Sequence, residues 1–205
     1  MAKRFDVKER ILEKSLDLFY RYGFVKASIR DIVKAVGITN STVYLYFKNK
    51  DDILFNIVFN IAAELFTELQ TLIEKQNDPI ECLQAMIIRQ ICFTTQTDNW
   101  KKARISLEER YQLPQHLQKK TLKLHRQIYD LYYSKVCEIE KKGLLNEKMD
   151  KTAITFGIFG MMNWAYRWFK PTGRLSIEET AEIVVDLFFR GILKRKEEER
   201  VWDTT

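Results

Sequence analysis

Residues 28–50 read SIRDIVKAVGITNSTVYLYFKNK, and this stretch decides the fold. Ser28 followed by Asp31 is a capping box that starts a helix. Ile29, Ile32, Val33 and Val36 recur at helical steps and supply its inner face. Gly37 ends that helix, because glycine accepts the left-handed backbone of a helix stop. A second short helix is predicted over residues 39–47. Val43 and Phe47 fall four apart and face inward with Ile38. Asn40, Ser41, Thr42, Tyr44 and Tyr46 are left facing outward. Two short helices meeting at a glycine-centred turn are a helix-turn-helix, whose second helix enters the major groove of duplex DNA. Amides and hydroxyls on that helix suit base edges and phosphate oxygens, and a tyrosine ring suits a thymine methyl.

Working outward, a first helix is predicted over residues 7–22, with Val7, Ile11, Leu12, Ser15, Leu18, Phe19 and Tyr22 on one face and Gly23 as its stop. On the other side Asn49 caps a long fourth helix over residues 50–75, with Asp51 and Asp52 in its positive first turn. Lys50 combines a cationic side chain with a helix N-terminus and so suits phosphate. Five further helices are predicted over residues 80–97, 100–111, 115–142, 150–169 and 176–194. Asp78-Pro79, Leu113-Pro114, Gly143 and Lys170–Arg174 punctuate them, and Ser176 with Glu179 forms another capping box. Only 7 Gly and 3 Pro are available for turns. There is no Asn-Gly or Asp-Gly hairpin signal and no internal repeat. The expectation is an all-α protein of about nine helices, with a DNA-binding domain at 1–56 and a helical effector and dimerisation domain at 57–205.

The charge is divided unevenly. Residues 1–50 hold eleven Lys/Arg against five Asp/Glu, whereas the other 155 residues hold 23 of each. The whole net charge of +6 therefore sits at the helix-turn-helix end. Clustered Lys and Arg release counterions from nucleic-acid phosphates, so double-stranded DNA is the expected partner. Cys82, Cys92 and Cys137 lack paired spacing and read as small buried hydrophobes in a reducing compartment. The N-terminus lacks an apolar secretory run, and the longest uncharged stretch, between Lys151 and Arg167, is short for a bilayer. A cytoplasmic protein without a membrane span is expected. No phosphate-binding loop, nucleophile elbow or zinc-protease motif is present. His116 and His125 lie nine apart without a partner constellation and read as structural. Neither an enzyme nor a metal site nor a bound cofactor is expected. A helical module for membrane surfaces or partner proteins is the remaining rival, but it has no need for an outward Thr/Tyr set between two capped helices.

The run from Leu18 to Leu54 resembles the DNA-binding domain of the TetR family of repressors. The features that match are Leu18-Phe19, Gly23-Phe24, Ser28, Ile32, Val36-Gly37-Ile38, Ser41-Thr42-Val43-Tyr44, Tyr46-Phe47, Asn49-Lys50 and Leu54. They cover residues 6–56 and tie helix lengths, turn and caps together. Departures are small: Ser15 and Val33 stand where alanine is frequent, and Ser41 where glycine is. The resemblance implies base or groove contact from Asn40, Ser41 and Tyr44. It implies phosphate contact from Ser28, Thr42, Tyr46 and Lys50, and either kind from Arg30.

For the rest of the chain the resemblance implies a body for dimerisation and ligand binding. The last helix is apolar almost all round, which requires burial on both sides. Gly157 and Gly160 permit close approach of the helix before it. Gly157, Gly160, Val184, Phe188 and Ile192 are the expected interface of a homodimer, and a two-fold dimer matches a near-palindromic operator. Residues 163–192 (NWAYRWFKPTGRLSIEETAEIVVDLFFRGI) and 106–130 (SLEERYQLPQHLQKKTLKLHRQIYD) resemble TetR-type regulators of fatty-acid or sterol breakdown, which sense acyl-coenzyme A thioesters. That resemblance implies an apolar tunnel with Phe93, Tyr129, Phe156, Met161, Trp164 and Trp168 as candidates, and Arg110, Arg167 and Lys170 as phosphate partners. The alternative effector is an unrelated small hydrophobic compound controlling efflux or stress genes.

Overall fold

The computed structural model describes residues 2–96, 99–169 and 172–193. Among these, nine α-helices and one 3-10 turn carry the chain, with no β-strand. They are α1 (Ala2–Tyr22), α2 (Ile29–Val36), α3 (Asn40–Tyr44), α4 (Lys50–Lys75), α5 (Pro79–Thr95), α6 (Trp100–Glu108), the 3-10 turn Arg110–Gln112, α7 (Gln115–Lys141), α8 (Lys151–Trp168) and α9 (Ile177–Ile192). The all-α expectation holds.

The helices begin where side chains satisfy their free N–H groups. Ser28 Oγ accepts from Asp31 N at 3.2 Å while Ser28 N donates to Asp31 Oδ2 at 2.9 Å. Ser176 and Glu179 repeat the arrangement at α9. Asn49 Oδ1 accepts from Asp52 N at 2.8 Å, and Asp150 Oδ1 from Ala153 N at 2.9 Å. Gly23, Gly37 and Gly143 are the described residues with left-handed backbone, each just beyond a helix end. Three boundaries differ from expectation by three residues or more, the first being the start of α1 at Ala2 rather than at residue 7. α3 stops at Tyr44, because Tyr46 N bonds back three residues to Val43 O. α6 stops at Glu108 and gives way to the tighter turn that leads to Pro114.

The described residues fall into two compact units, one within Met1–Leu65 and Gln96–Arg126, the other within Phe66–Thr95 and Gln127–Thr205. The first therefore includes α6 and the start of α7, which a boundary at 56/57 assigns to the C-terminal domain. The physical reason is that α6 lies on α1. Trp100 meets the Tyr20 ring edge-on at 4.9 Å, Lys101 pairs with Asp17, and the Arg104 guanidinium sits 5.0 Å from the Tyr20 ring. Ile105 completes an apolar core with Ile11, Phe19, Ile32, Val43, Phe47 and Leu54.

In the second unit, α5 packs against α8 and α9. Leu83, Met86, Ile87, Ile158, Val185 and Phe189 are buried there. Tyr132 is buried too, with its hydroxyl 2.9 Å from Gln90 Oε1 and 3.0 Å from Met86 O. Burial pushes that phenol well above its usual range, so it is a neutral structural bond. Cys82 and Cys92 are buried, and burial raises both thiols, as expected of inert core cysteines. No described helix is long and apolar enough to cross a membrane.

Candidate nucleic-acid interface

α2 and α3 are held from below. Ile32, Val36, Val43 and Phe47 are buried at 4% exposure or less, so α3 has one fixed face and one free face. Gly37, with φ +75°, turns the chain between them, and Gly37 N and Ile38 N both bond to Val33 O. Thr39 then caps α3, its Oγ1 accepting from Thr42 N at 3.3 Å. Thr39 Oγ1 also lies 2.8 Å from Ser41 Oγ and 2.9 Å from Thr42 Oγ1.

The predicted contact residues divide into two groups. Asn40, Ser41 and Tyr44 are exposed on α3, and Arg30 is exposed on α2. Tyr44 keeps 54% of its surface open to solvent, so most of its ring is free for a partner. Thr42 and Tyr46 are half-buried, Tyr46 against the apolar core. Ser28 and Lys50 have other duties here. Ser28 gives both its amide and its hydroxyl to Asp31, and these two bonds hold the Asp31 carboxyl below its usual range.

The Lys50 ammonium lies 2.7, 3.2 and 2.8 Å from the carbonyls of Phe24, Val25 and Ala27, and 4.4 Å above the Phe24 ring. Its three protons are thereby used on the turn between α1 and α2. Instead of an ammonium free for phosphate, Lys50 is a staple from the start of α4 to that turn. The turn supplies this acceptor site because its carbonyls fall outside any helix ladder.

The exposed surface holds further groups beyond those expected. Leu45 is 72% exposed, and Lys26, Lys34 and Lys48 are exposed around the same pair of helices. Leu45, just past the end of α3, was legible: on the predicted helix over residues 39–47 it stands two residues from both Val43 and Phe47, hence on the opposite side. Its apolar character hid it among polar candidates.

In the second unit the ligand candidates do not gather around one tunnel. Tyr129 and Phe156 meet with ring centres 5.3 Å apart, and Phe159 joins them. Phe93 is 1% exposed, with the Arg89 guanidinium 5.9 Å from its ring. Met161, Trp164 and Trp168 line an open groove of about 450 Å³ with Leu175, Ile183 and Leu187. The Arg167 guanidinium lies 4.9 Å from the Trp164 ring. Arg110 belongs to the first unit, and Lys170 lies outside the described residues.

The cause is the phase of α8. Ile154, Thr155, Ile158, Met162 and Ala165 form its buried face, so Phe156, Gly157, Gly160, Trp164 and Trp168 share the opposite, exposed one. The expected dimer contacts divide in the same way, with Gly157 and Gly160 on the exposed face of α8. Val184, Phe188 and Ile192 are 5–9% exposed and pack within their own chain. The exposed apolar side chains of α9 are Ile183 at 45% and Leu187 at 62%.

Residues 11–57 match the model for bacterial regulatory proteins of the tetR family, and residues 76–192 match a tetracyclin repressor-like C-terminal domain. The HTH-type transcriptional regulator AcrR of Shigella flexneri is 29% identical over 85 residues, spanning 40% of this chain and 39% of that protein. The fatty acid metabolism regulator protein of Bacillus subtilis is 21% identical over 184 residues, 89% of this chain and 94% of that one. The solved structure of AibR in complex with isovaleryl coenzyme A and operator DNA superposes with a TM-score of 0.80 at 28% identity, over 89% of this chain and 98% of that one. The matched families and relatives are transcriptional regulators, not enzymes. With more than half its length matched by the C-terminal model and its helix-turn-helix by the N-terminal one, this chain belongs to the TetR family of transcriptional regulators.

Proposed function

We propose that the chain is an effector-responsive repressor that binds a near-palindromic operator as a homodimer and leaves it when a small apolar effector binds, an acyl-coenzyme A thioester first among the candidates. The observation that carries the DNA reading is the free face of α3. Asn40, Ser41 and Tyr44 on α3, and Leu45 just after it, stand exposed, while Val43 and Phe47 anchor the opposite side. Arg30, Lys26, Lys34 and Lys48 surround them with positive charge, which suits phosphate on either side of a groove. A membrane-surface module has no use for such an arrangement.

Support for the dimer comes from α8 and α9. Phe156, Trp164, Trp168, Ile183 and Leu187 are 45–62% exposed, and a Cβ at Gly160 meets nothing within 4 Å. Aromatic side chains left in water beside small residues favour a second copy of the same surface. Residues 1–56 act in this reading as the DNA-binding domain and 57–205 as the effector and dimerisation domain. Support for a thioester comes from the relatives, one named for fatty acid metabolism and one solved with isovaleryl coenzyme A.

Release requires only that the effector prefer a state that DNA rejects. α4 suits the transmission, since one continuous helix contributes residues to both units. Fluorescence anisotropy on DNA from the chain's own upstream region, with and without long-chain acyl-coenzyme A, is the test. Tight, salt-sensitive binding released by the thioester supports the whole reading. Operator and thioester bound together at unchanged affinity overturn the release mechanism.

A further inference from the structure

The 3-10 turn between α6 and α7 places a cation where no described carboxylate neutralises it. Arg110 Nη2 donates to Tyr111 Oη at 2.6 Å, and its guanidinium centre lies 4.7 Å from the Tyr111 ring. Nη1 lies 3.5 Å from His125 Nδ1. Arg110 Nε and His125 Nε2 are both buried, and neither has a hydrogen-bond partner among the described residues. The neighbouring carboxylates are occupied: Glu108 pairs with Arg104, and Glu109 Oε1 accepts from Phe24 N.

With Nδ1 turned toward a guanidinium that only donates, the proton of a neutral imidazole sits on Nε2. Two buried N–H groups are therefore left without an acceptor, one of them on a permanent cation. Burial and the Arg110 charge both oppose protonation of His125, which keeps the imidazole neutral down to about 4. An unpaired buried donor costs free energy until an acceptor arrives, and a charged one costs more. The cover over this site is light. Tyr111 lies across the guanidinium while 64% exposed, so rotating one side chain opens Arg110 to solvent.

We propose that Arg110, with His125 beside it, seats an anionic oxygen, a carboxylate or a phosphate, carried by the effector. That the anion belongs to an effector rests on the proposed function; the anion seat itself rests on the orphaned donors. The position also gives the anion a lever. Glu109, next to Arg110, holds the Phe24 amide in the turn that precedes α2, and Lys50 grips the same turn from α4. An anion that draws Arg110 outward pulls on Glu109 and loosens the turn on which α2 is mounted.

Calorimetric titration of the full chain with decanoate, decanoyl-coenzyme A, inorganic phosphate and uncharged decanol tests this. The wild type binds decanoate or decanoyl-coenzyme A at least about tenfold more tightly than decanol, and Arg110→Gln lowers anion affinity about tenfold or more while leaving decanol unchanged. Loss for decanoate identifies a carboxylate, whereas loss for the thioester with competition by inorganic phosphate identifies a phosphate. Arg110→Lys, which keeps the positive charge at that position, retains the preference for anions, and unchanged decanol affinity in Arg110→Gln guards against a folding defect. Anion affinity unchanged in a folded Arg110→Gln, or no preference over decanol in the wild type, overturns the proposal.

Anisotropy on DNA separates the two readings. Release by decanoyl-coenzyme A that is equal in wild type and Arg110→Gln refutes the anion seat and keeps the thioester effector. Decanoate or phosphate bound through Arg110, with no thioester releasing DNA, keeps the seat and refutes that effector.

Discussion

α3 and the α8–α9 pair both have one buried face and one exposed face, yet their exposed faces differ in kind. On α3 the free side carries amide, hydroxyl and phenol groups, with Leu45 exposed just past its end. On α8 and α9 it carries Phe156, Trp164, Trp168, Ile183 and Leu187. Water is a tolerable partner for the first set and a poor one for the second. Exposure therefore has two meanings in this chain: α3 leaves a polar face open, and α8–α9 leaves an apolar one.

The largest effect is expected where the anchor of α3 is removed. Phe47→Ala empties a site that is 1% exposed and lowers stability by about 3–5 kcal/mol, read by chemical denaturation. A loss under about 1 kcal/mol means α3 is not fixed from below and the contrast between its faces fails.

The buried side of the first unit also has a pH signature. His125 titrates near 4 when folded, against an ordinary 6.5. Its contribution is fully present above 6.5 and is lost as pH falls toward 4, because the unfolded chain takes up the proton first. Stability drops over that window by on the order of 3 kcal/mol. Denaturation at pH 7 and pH 4, in wild type and His125→Gln, isolates this share from that of the carboxylates.

Leu187→Glu puts a charge on the exposed apolar face of α9. Sedimentation is expected to show a monomer, with operator affinity down about a hundredfold because two half-sites are no longer held together. Tyr44→Ala makes the opposite kind of change. Its ring is 54% exposed, so stability stays within about 0.5 kcal/mol, while operator affinity falls by about 1–3 kcal/mol. If Leu187→Glu leaves both oligomer and affinity intact, the two faces do not divide their roles as proposed. Smallest is Ser28→Ala, expected to cost about 1 kcal/mol of stability through the lost cap. Because Ser28 spends its hydroxyl on Asp31, its effect on DNA affinity should be slight and follow α2 stability rather than salt.

Local patterns carried much of the fold. Ser28 with Asp31, Ser176 with Glu179, Gly37 and the periodicity of Ile32, Val36, Val43 and Phe47 were all legible, because capping and amphipathic phase act within one turn of helix. Partners brought together by tertiary packing were not. Nothing near Lys50 in the chain announces that three carbonyls some 25 residues away will take its protons. Nor does composition reveal the phase of α9, where almost every position is apolar and the choice between Val184 and Ile183 for the outer face depends on where α5 lies. The same holds for α8: Phe156 and Trp164 have the chemistry of a pocket lining, and only the phase of the helix puts them on its exposed side. His125 and Arg110 are fifteen residues apart, and their meeting depends on the turn between α6 and α7.

In the proposed function, two copies of α3, held by a dimer, read duplex DNA. Selection of binding sites from a random duplex library by the wild-type protein tests it most directly, since the protein itself picks out its operator. The expected result is enrichment of a near-palindrome whose half-sites both contribute to affinity, lost in Tyr44→Ala. A single half-site bound as tightly as the pair contradicts the dimeric reading, and no enrichment over the starting library contradicts sequence recognition by α3.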